Sequence, residues 1–340
     1  MVRLSTEKEE NEIVFEDFPF VHNSAVFLRI LFEKKKTITI FWKDKKMKNL
    51  ITICAVVVLL ATGYTIAGTW TTIDMPGVTG TIIRGIDRSN IVGFYWDTGI
   101  THGFLYNGTT WTTLDMPGAG NTYITGISGN NIVGHIDYAT DSGGGRDGGG
   151  FLYNGTSWTT LYMGGSISTF IYGINGNNIV GSYGDDYGWH GFLYDGTSCT
   201  TLDMPGARET EITGISGSNL VGSYYDGDYH GFSYDGTSWT TLDMPGVRNT
   251  HIYGISGNNI VGTYNNGVTD YTPHGFLYNG TTWTTLDMPG ASQTWILGID
   301  GSNLVGYYGD NTHGFLYTIP EPATLLLLSL GAVLLRKKCS

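Results

Sequence analysis

Five histidines recur at one point of a repeated sequence, and an imidazole repeated in this way could bind a metal ion or take part in acid–base catalysis. The five are His102, His190, His230, His274 and His313. In a ring of repeats, however, equivalent positions lie on a circle, so only residues near its axis could reach one ion at the roughly 2.1 Å of zinc ligation. We therefore expect a repeated structural role, such as a hydrogen bond that opens a strand. The sequence singles out no catalytic, cofactor-binding or metal-ligating residue.

Acidic and aromatic residues precede the repeated His-Gly-Phe triplet and are the second candidates for chemistry. Because they fall at the same point of each copy, we predict that they lie in loops on one rim of the fold. Aromatic rings and carboxylates together could bind a sugar, or the carboxylates could hold Ca²⁺. The alternative is that these segments are solvated turns. The candidate ligand rim comprises Trp96, Asp97, Asp185, Asp186, Trp189, Tyr225, Asp226, Asp228 and Asp310.

Other chemistry has little support in the sequence. Asp226 and Asp228 match only the first two positions of a Ca²⁺-binding loop and lack its distal glutamate. The chain has no glycine-rich phosphate loop, no nucleophile elbow and no Cys or His pair with metal-ligand spacing. A glycosidase needs two carboxylates roughly 5 to 9.5 Å apart, and copies this similar single out no such pair.

The repeated body is strongly acidic. Residues 68–317 contain 21 Asp and Glu, five arginines and no lysine. A negative field of this kind repels phosphate backbones, so we exclude nucleic acid as a partner.

Three short phrases recur through the body and define its organisation. A WTTLDMPG-like phrase begins at Trp70, Trp111, Trp158, Cys199, Trp239 and Trp283. A GISGNNIVG-like phrase and an HGFLY-like phrase each occur six times, and the unit is about 41 residues long. Each unit contains four strand signals, and Asn-Gly or Asp-Gly pairs between aromatic residues predict type I′ hairpins. The composition fits short strands and tight turns, with 51 Gly, 22 Tyr and only 14% charged residues. We therefore predict an all-β, six-bladed β-propeller of four-stranded repeats over residues 68–318, with an open β-solenoid as the alternative.

The two ends of the body complement each other. The body begins with a lone WTTID strand at Trp70–Asp74, and it ends with HGFLY at His313–Tyr317, which lacks the WTTL strand that follows every other copy. Pairing the first strand with the last would complete the sixth blade and remove two exposed edges. We also expect the recurrent glycines to lie where strands or blades approach too closely for a Cβ.

The N-terminal 67 residues differ from the body. Residues 47–67 have the layout of a signal peptide, with cleavage predicted after Ala67 or Gly63. Residues 1–46 contain no glycine and are rich in Lys and Glu. They are interpreted either as a wrongly assigned gene start before Met47, or as a cytoplasmic extension behind an uncleaved signal anchor.

The C-terminal segment, residues 319–340, has three parts in a fixed order. Pro320, Glu321 and Pro322 precede an apolar run that ends at Arg336, Lys337 and Lys338. This tail resembles the PEP-CTERM sorting signal of Gram-negative bacteria that make extracellular polysaccharide. The resemblance implies a transmembrane helix that anchors the chain during sorting, cleavage by an exosortase, and delivery to the cell surface or the extracellular space. An ordinary membrane anchor is the alternative.

The repeats also resemble HAF-type extracellular repeats, named for a His-Ala-Phe triplet that reads His-Gly-Phe in five of the six copies here. Repeat two has Gly149 in place of the histidine. This resemblance implies a surface propeller and assigns no chemistry. We therefore predict a non-catalytic binding or structural scaffold associated with extracellular polysaccharide. The alternative is a carbohydrate-active enzyme, a glycosidase or lyase, with a site on one rim.

Overall fold

A computed structural model describes residues 31–32, 38–39, 68–137, 148–163, 166, 168–267, 270–310 and 312–320. Two short antiparallel strands, β1 (Leu31–Phe32) and β2 (Ile38–Thr39), lie in the N-terminal extension. All other described strands belong to one compact unit, Ala67–Pro322. The predicted signal segment at 47–67 lies outside the described residues, and so does most of the tail.

The compact unit is an all-β, six-bladed β-propeller, as predicted. Each blade is a four-stranded antiparallel sheet whose first strand touches the first strands of both neighbouring blades. The first strands therefore surround the axis of the ring. They are β4 (Thr81–Asp87), β8 (Asn121–Ser128), β12 (Ser168–Asn175), β16 (Glu209–Ser216), β20 (Asn249–Ser256) and β24 (Thr294–Asp300).

The other three strands follow outward in chain order in blades one to five, and in blade six β3, from the start of the body, is the outermost strand. The second strands are β5 (Asn90–Asp97), β9 (Asn131–Asp137), β13 (Asn178–Asp185), β17 (Asn219–Tyr225), β21 (Asn259–Asn265) and β25 (Asn303–Tyr308). The third strands are β6 (Ile100–Tyr106), β10 (Gly148–Tyr153), β14 (Gly188–Tyr194), β18 (Tyr229–Tyr234), β22 (His274–Tyr278) and β26 (His313–Thr318). The outermost strands are β7 (Trp111–Thr113), β11 (Trp158–Leu161), β15 (Cys199–Thr201), β19 (Trp239–Thr241), β23 (Trp283–Thr285) and β3 (Thr69–Thr72).

Apolar side chains between neighbouring blades form the core. The phenylalanine of every HGFLY phrase is fully buried, as Phe104 is in blade one. It packs with isoleucines of its own blade and with a valine from the blade before it, which for blade one is Val305 of blade six. One sheet alone could not bury these side chains, and removing each from water contributes about 1.5 to 3 kcal/mol. Neighbouring blades thus stabilise one another.

The first strand of the chain closes the ring, as predicted. Strand β3 pairs antiparallel with β26, with Trp70 opposite Tyr317 and Thr72 opposite Phe315. A ring of glycines marks the closest approach of the innermost strands: a Cβ on Gly85 would lie 3.2 Å from the Gly126 Cα, and a Cβ on Gly298 would lie 3.4 Å from the Gly85 Cα. The expectation that recurrent glycines mark close approaches is confirmed, and the open solenoid is excluded.

The hairpin between the third and fourth strands differs from the prediction of a type I′ turn. In blade one the loop is four residues long, since Tyr106 pairs with Trp111. Only Gly108 has a positive φ, and the Asn107 side chain accepts hydrogen bonds from the Thr109 and Thr110 amides. The Asn or Asp is therefore selected for its side-chain oxygen rather than for a left-handed backbone.

Within the part of the chain that the structure describes, no helix is long and apolar enough to cross a membrane. The predicted tail helix lies outside that part.

Candidate ligand-binding site

Strand direction separates the two ends of the ring. In each blade the turns between the first and second strands and between the third and fourth strands lie at one end. The connections from the second to the third strand, and from each blade to the next, lie at the other, which we call the loop end. The predicted ligand rim belongs to the loop end.

Each repeated histidine forms the same contact at the loop end. In blade four, His230 Nδ1 lies 2.8 Å from Asp243 Oδ2, while the Gly231 amide donates to Asp243 Oδ1 at 3.1 Å. The aspartate belongs to the LDMPG part of the repeat, so the pair ties the third strand to the end of the fourth. The equivalent pairs are His102–Asp115, His190–Asp203, His274–Asp287 and His313–Asp74. In blade three, the hydrogen bond with Asp203 is the main cause of a raised His190 pKa.

Repeat two replaces both members of this pair together. Gly149 stands at the histidine position and Tyr162 at the aspartate position. A Cβ on Gly149 would lie 2.9 Å from the Tyr162 ring, so the tyrosine occupies the space that the histidine side chain takes in other blades. The two positions therefore depend on each other.

The residues of the predicted ligand rim do not all lie in the same kind of secondary structure. The prediction that they lie in loops is wrong for five of them, which are in strands: Trp96, Asp97, Asp185, Trp189 and Tyr225. The remaining four lie in turns or bends: Asp186, Asp226, Asp228 and Asp310.

Several of the rim acids have partners within the protein. Asp185 accepts hydrogen bonds from the Tyr187 and Gly188 amides, Asp228 pairs with Arg248, and Asp310 accepts from Ser292. Among the described residues, no three His, Cys, Asp or Glu side chains are placed to hold one metal ion. At least these three rim acids therefore have structural partners.

The copies diverge instead on the innermost strands, at positions that sequence analysis did not single out. The residue before the conserved isoleucine differs in every blade, and none of the six is fully buried. These strands surround the axis, and all six side chains are partly exposed. The six are Ile82, Tyr123, Phe170, Glu211, His251 and Trp295. The residue after the isoleucine also varies, giving Arg84, Thr125, Tyr172, Thr213, Tyr253 and Leu297.

Aromatic and imidazole rings run around the loop end of the axis in two arcs. The first arc crosses blades one to three, with neighbouring centroids 4.8 to 5.8 Å apart. Its members are Trp96, Phe94, Tyr123, His135, Phe170 and Trp189. The second arc crosses blades four to six, with centroids 4.6 to 6.4 Å apart. Its members are Tyr225, Tyr229, His251, Tyr253, Trp295 and Tyr307.

The Arg84 guanidinium lies near the axis. Arg84 directly precedes Gly85 of the glycine ring on the innermost strand β4, and its charge acts on ionisable groups of all five other blades. Among the described residues it forms no hydrogen bond or ion pair. The groups on which it acts are His135, Tyr172, Glu211, Tyr253 and Tyr307.

Glu211 is the acidic counterpart of Arg84. Burial raises the pKa of its carboxyl, the neighbouring Glu209 raises it further, and Arg84 opposes both. Glu211 in turn contributes to the raised pKa values of Tyr172 and Tyr253, which burial mainly causes. Arg84 and Glu211 thus lie on opposite blades, among aromatic side chains. We call this set, Arg84, Tyr172, Glu211, Tyr253, Trp295 and Tyr307, the axial mouth.

Burial also fixes the protonation of the histidines in the arcs. It lowers the pKa of His135 to about 3 and that of His251 to about 4, so both are neutral at pH 7. His135 Nδ1 is buried and has no hydrogen-bond partner in the described part of the chain. These rings therefore contribute apolar surface and neutral nitrogens, not positive charge.

A position-by-position alignment of the copies would have revealed this site. Residues that build the ring are the same in nearly every copy, such as the isoleucine at Ile83 and Ile124. The two positions on either side of it change in chemical type from blade to blade. That contrast is visible in the sequence, although the convergence of the variable positions at the axis is not.

The fold and this site define a six-bladed β-propeller whose innermost strands carry non-equivalent, partly exposed side chains near the axis. Residues 318–338 match the model of the PEP-CTERM protein-sorting motif. This motif marks an exported protein that is held at the membrane during sorting and processed by an exosortase, in agreement with the prediction made from the tail sequence. The match covers the tail alone. No curated protein matches the chain, and the resemblance to HAF-type repeats stays a prediction.

Solved structures resemble the ring at the level of the fold. A Trypanosoma rangeli sialidase in complex with 2,3-difluorosialic acid is 10% identical, with 78% of this chain and 58% of that chain covered and a TM-score of 0.47. An acylaminoacyl peptidase in complex with Z-Gly-Gly-Phe-chloromethyl ketone is 10% identical, with 72% and 45% covered and a TM-score of 0.45. The SapL1 lectin in complex with alpha methyl fucoside is 16% identical, with 68% and 89% covered and a TM-score of 0.45. This chain spans about half the length of the first two proteins.

Proposed function

We propose that this protein is an exported, non-catalytic scaffold of the Gram-negative cell surface or extracellular matrix that binds extracellular polysaccharide. One observation carries the binding role: the six copies agree where they build the ring and differ where they face the axis at the loop end. A purely structural ring needs no such difference, whereas a site for one asymmetric ligand does. The sorting motif supplies the route to the outside.

Polysaccharide fits the chemistry of the loop end. Sugars present apolar faces that stack on aromatic rings and hydroxyls that bond to carboxylates and guanidinium groups. The two arcs and the axial mouth offer all of these groups, and every member except the buried Phe94 is at least partly exposed. The negative body disfavours nucleic acid.

An enzyme is the second candidate, and Glu211 is the observation that favours it. A carboxyl whose pKa is raised by burial can act as a general acid, and Arg84 could stabilise developing negative charge. The substrate of such an enzyme would be a carbohydrate, because the aromatic residues that suit a bound sugar also surround Glu211. Turnover therefore separates the two candidates.

The test uses the full chain in detergent with extracellular polysaccharide purified from the producing bacterium. We expect the protein to co-sediment with the polysaccharide, and we expect the size distribution of the polysaccharide to stay unchanged after prolonged incubation. Shortened chains or new unsaturated ends would establish the enzyme and overturn the scaffold. Failure to co-sediment at any ionic strength would overturn polysaccharide binding altogether.

Export is tested separately in the producing bacterium. We expect mass spectrometry of the extracellular form to find a processed C-terminus near Pro320. Substitution of Glu321 and Pro322 by alanine should retain the protein in the cell-envelope membrane. Extracellular protein that still carries Arg336, Lys337 and Lys338 would contradict processing by an exosortase.

A further inference from the structure

The axial mouth places the oppositely charged side chains of Arg84 and Glu211 among aromatic side chains. We infer that the axial mouth binds a neutral sugar unit of a polysaccharide, and that it selects this unit over acidic sugars and over ammonium ligands. The inference rests on the proposed polysaccharide-binding function and names the class of sugar and its location.

The charges themselves point to a hydroxylated ligand. Arg84 and Glu211 influence each other electrostatically, yet they form no ion pair or hydrogen bond with each other in the described structure. A half-buried charge without a partner is costly. A sugar placed between them could accept hydrogen bonds from the guanidinium and donate hydroxyl protons to the carboxylate, which would satisfy both groups at once.

The aromatic lining suits the faces of a sugar ring. Trp295 stacks on Tyr307 with centroids 5.6 Å apart and planes 10° apart, and the Tyr253 ring lies 6.3 Å from Trp295 at an interplanar angle of 43°. The three rings come from blades five and six, which lie in the ring between blade four, which carries Glu211, and blade one, which carries Arg84. A bound sugar could therefore stack on one side of the mouth while its hydroxyls reach the charged groups.

The glycine ring limits how deeply a ligand can enter. Gly85 directly follows Arg84 in β4, and the innermost strands approach each other most closely at this level. A ligand that enters from the loop end thus meets the axial mouth just before the axis narrows. One sugar unit, at a chain end or a branch, is the part that reaches the site.

The surrounding charge decides between neutral and charged ligands. The body carries 21 acidic residues against five arginines, so an acidic sugar would approach against the field of the whole ring. An ammonium ligand would be attracted by that field, but it would meet the Arg84 guanidinium at the centre of the site. A neutral ligand is repelled neither by the negative field of the body nor by the Arg84 guanidinium.

The test is calorimetric titration of the full chain in detergent at pH 7. The probes are neutral tetrasaccharides of glucose, galactose and mannose, tetragalacturonate, and tetramethylammonium chloride. We expect at least one neutral tetrasaccharide to bind at least tenfold more tightly than tetragalacturonate, and tetramethylammonium not to bind. Trp295→Ala and Glu211→Gln should each weaken the binding of that tetrasaccharide about tenfold, which corresponds to about 1.4 kcal/mol.

Matched variants separate binding from folding. Trp295→Phe keeps an aromatic ring in the mouth and should retain most of the affinity. Tyr187→Ala removes a ring that is 90% exposed at the loop end, and Arg88→Gln removes an 88% exposed guanidinium at the opposite end. Both should bind within twofold of the unmodified protein, with unchanged thermal unfolding midpoints for all variants that are compared.

Three outcomes would overturn the inference in different ways. Preferred binding of tetragalacturonate or tetramethylammonium would reject the neutral class. Binding that is insensitive to Trp295→Ala and Glu211→Gln but is lost in Trp189→Ala would place the site on the rim and not at the axis. Both results leave polysaccharide binding by the scaffold intact, whereas co-sedimentation failure together with no binding of any saccharide would reject the proposed function itself.

Discussion

At the scale of single residues, the regular spacing of the repeated histidines predicted that they share a role but not which residues they contact. Their recurrence predicted a shared structural role, but it did not reveal the partner, which lies 13 positions further along the chain in four of the five pairs. In the fifth pair the partner of His313 is Asp74, at the other end of the body. The joint replacement of histidine and aspartate in repeat two was the available clue, because only contacting residues need to change together.

The paired change in repeat two predicts an energetic coupling in the other blades. In blade four, His230→Gly should cost about 1 kcal/mol through the lost hydrogen bond. Asp243→Tyr with the histidine retained should cost about 2 to 3 kcal/mol, because the new ring would overlap the imidazole and the Gly231 amide would lose its acceptor. The double variant should recover about 1 to 2 kcal/mol relative to the sum of the single variants, as measured by urea unfolding.

Repeat two provides a control for the coupling between the histidine and aspartate positions. Gly149→His in repeat two, where Tyr162 is present, should be as unfavourable as Asp243→Tyr in blade four, since it brings the same two side chains together. Strictly additive free energies of unfolding in blade four would show that the two positions are independent, contrary to the structure.

At the scale of strands, the repeated sequence phrases predicted four strands in each blade, and the structure confirms this number. The phrases did not predict the β-bulges, the turn type or the exact ends of the strands. A β-bulge between Ile296 and Gly298 shifts the register of β24 against β25, and no residue type marks such a bulge by itself. The same limit explains why the third-to-fourth-strand loop was assigned the wrong turn type, and why Trp96 and Trp189 were placed in loops rather than in strands.

The bulge gives the glycine opposite it a specific role. In β25, a Cβ on Gly306 would overlap the backbone oxygen of Trp295, which the bulge brings against the strand. Gly306→Ala should therefore lower the free energy of unfolding by about 3 kcal/mol or more. Gly184→Ala, in the second strand of blade three, is the matched control: the atoms nearest to its Cβ would belong to the Trp189 side chain, at 3.3 Å, and the change should cost less than about 1 kcal/mol. Equal urea midpoints for the two variants would show that the close approach is not a constraint.

At the scale of the whole molecule, the sequence predicted the ring and its closure because both depend on counting strands. The unmatched strand at Trp70 and the incomplete blade at His313 can be recognised from the sequence alone, by comparison of the repeats. The axial mouth was missed because its members are far apart in sequence and each one alone resembles an ordinary strand residue. Only closure of the ring brings Arg84 of blade one close enough to act electrostatically on Tyr307 of blade six, and no local pattern encodes that proximity.

Closure by the first strand can be measured with one pair of substitutions in the full chain. Trp70 lies 4.9 Å from Phe315 and 4.5 Å from Tyr317, between ring centroids. Trp239, within the uninterrupted blade four, has nearly the same surroundings, at 5.0 Å from Phe232 and 4.5 Å from Tyr234. Because the contacts match, Trp70→Ala and Trp239→Ala should each lower the free energy of unfolding by about 2 to 3 kcal/mol in urea. If Trp239→Ala lowers the urea midpoint while Trp70→Ala leaves it unchanged, then β3 does not hold the ring closed in solution, and the sixth blade would keep an open edge.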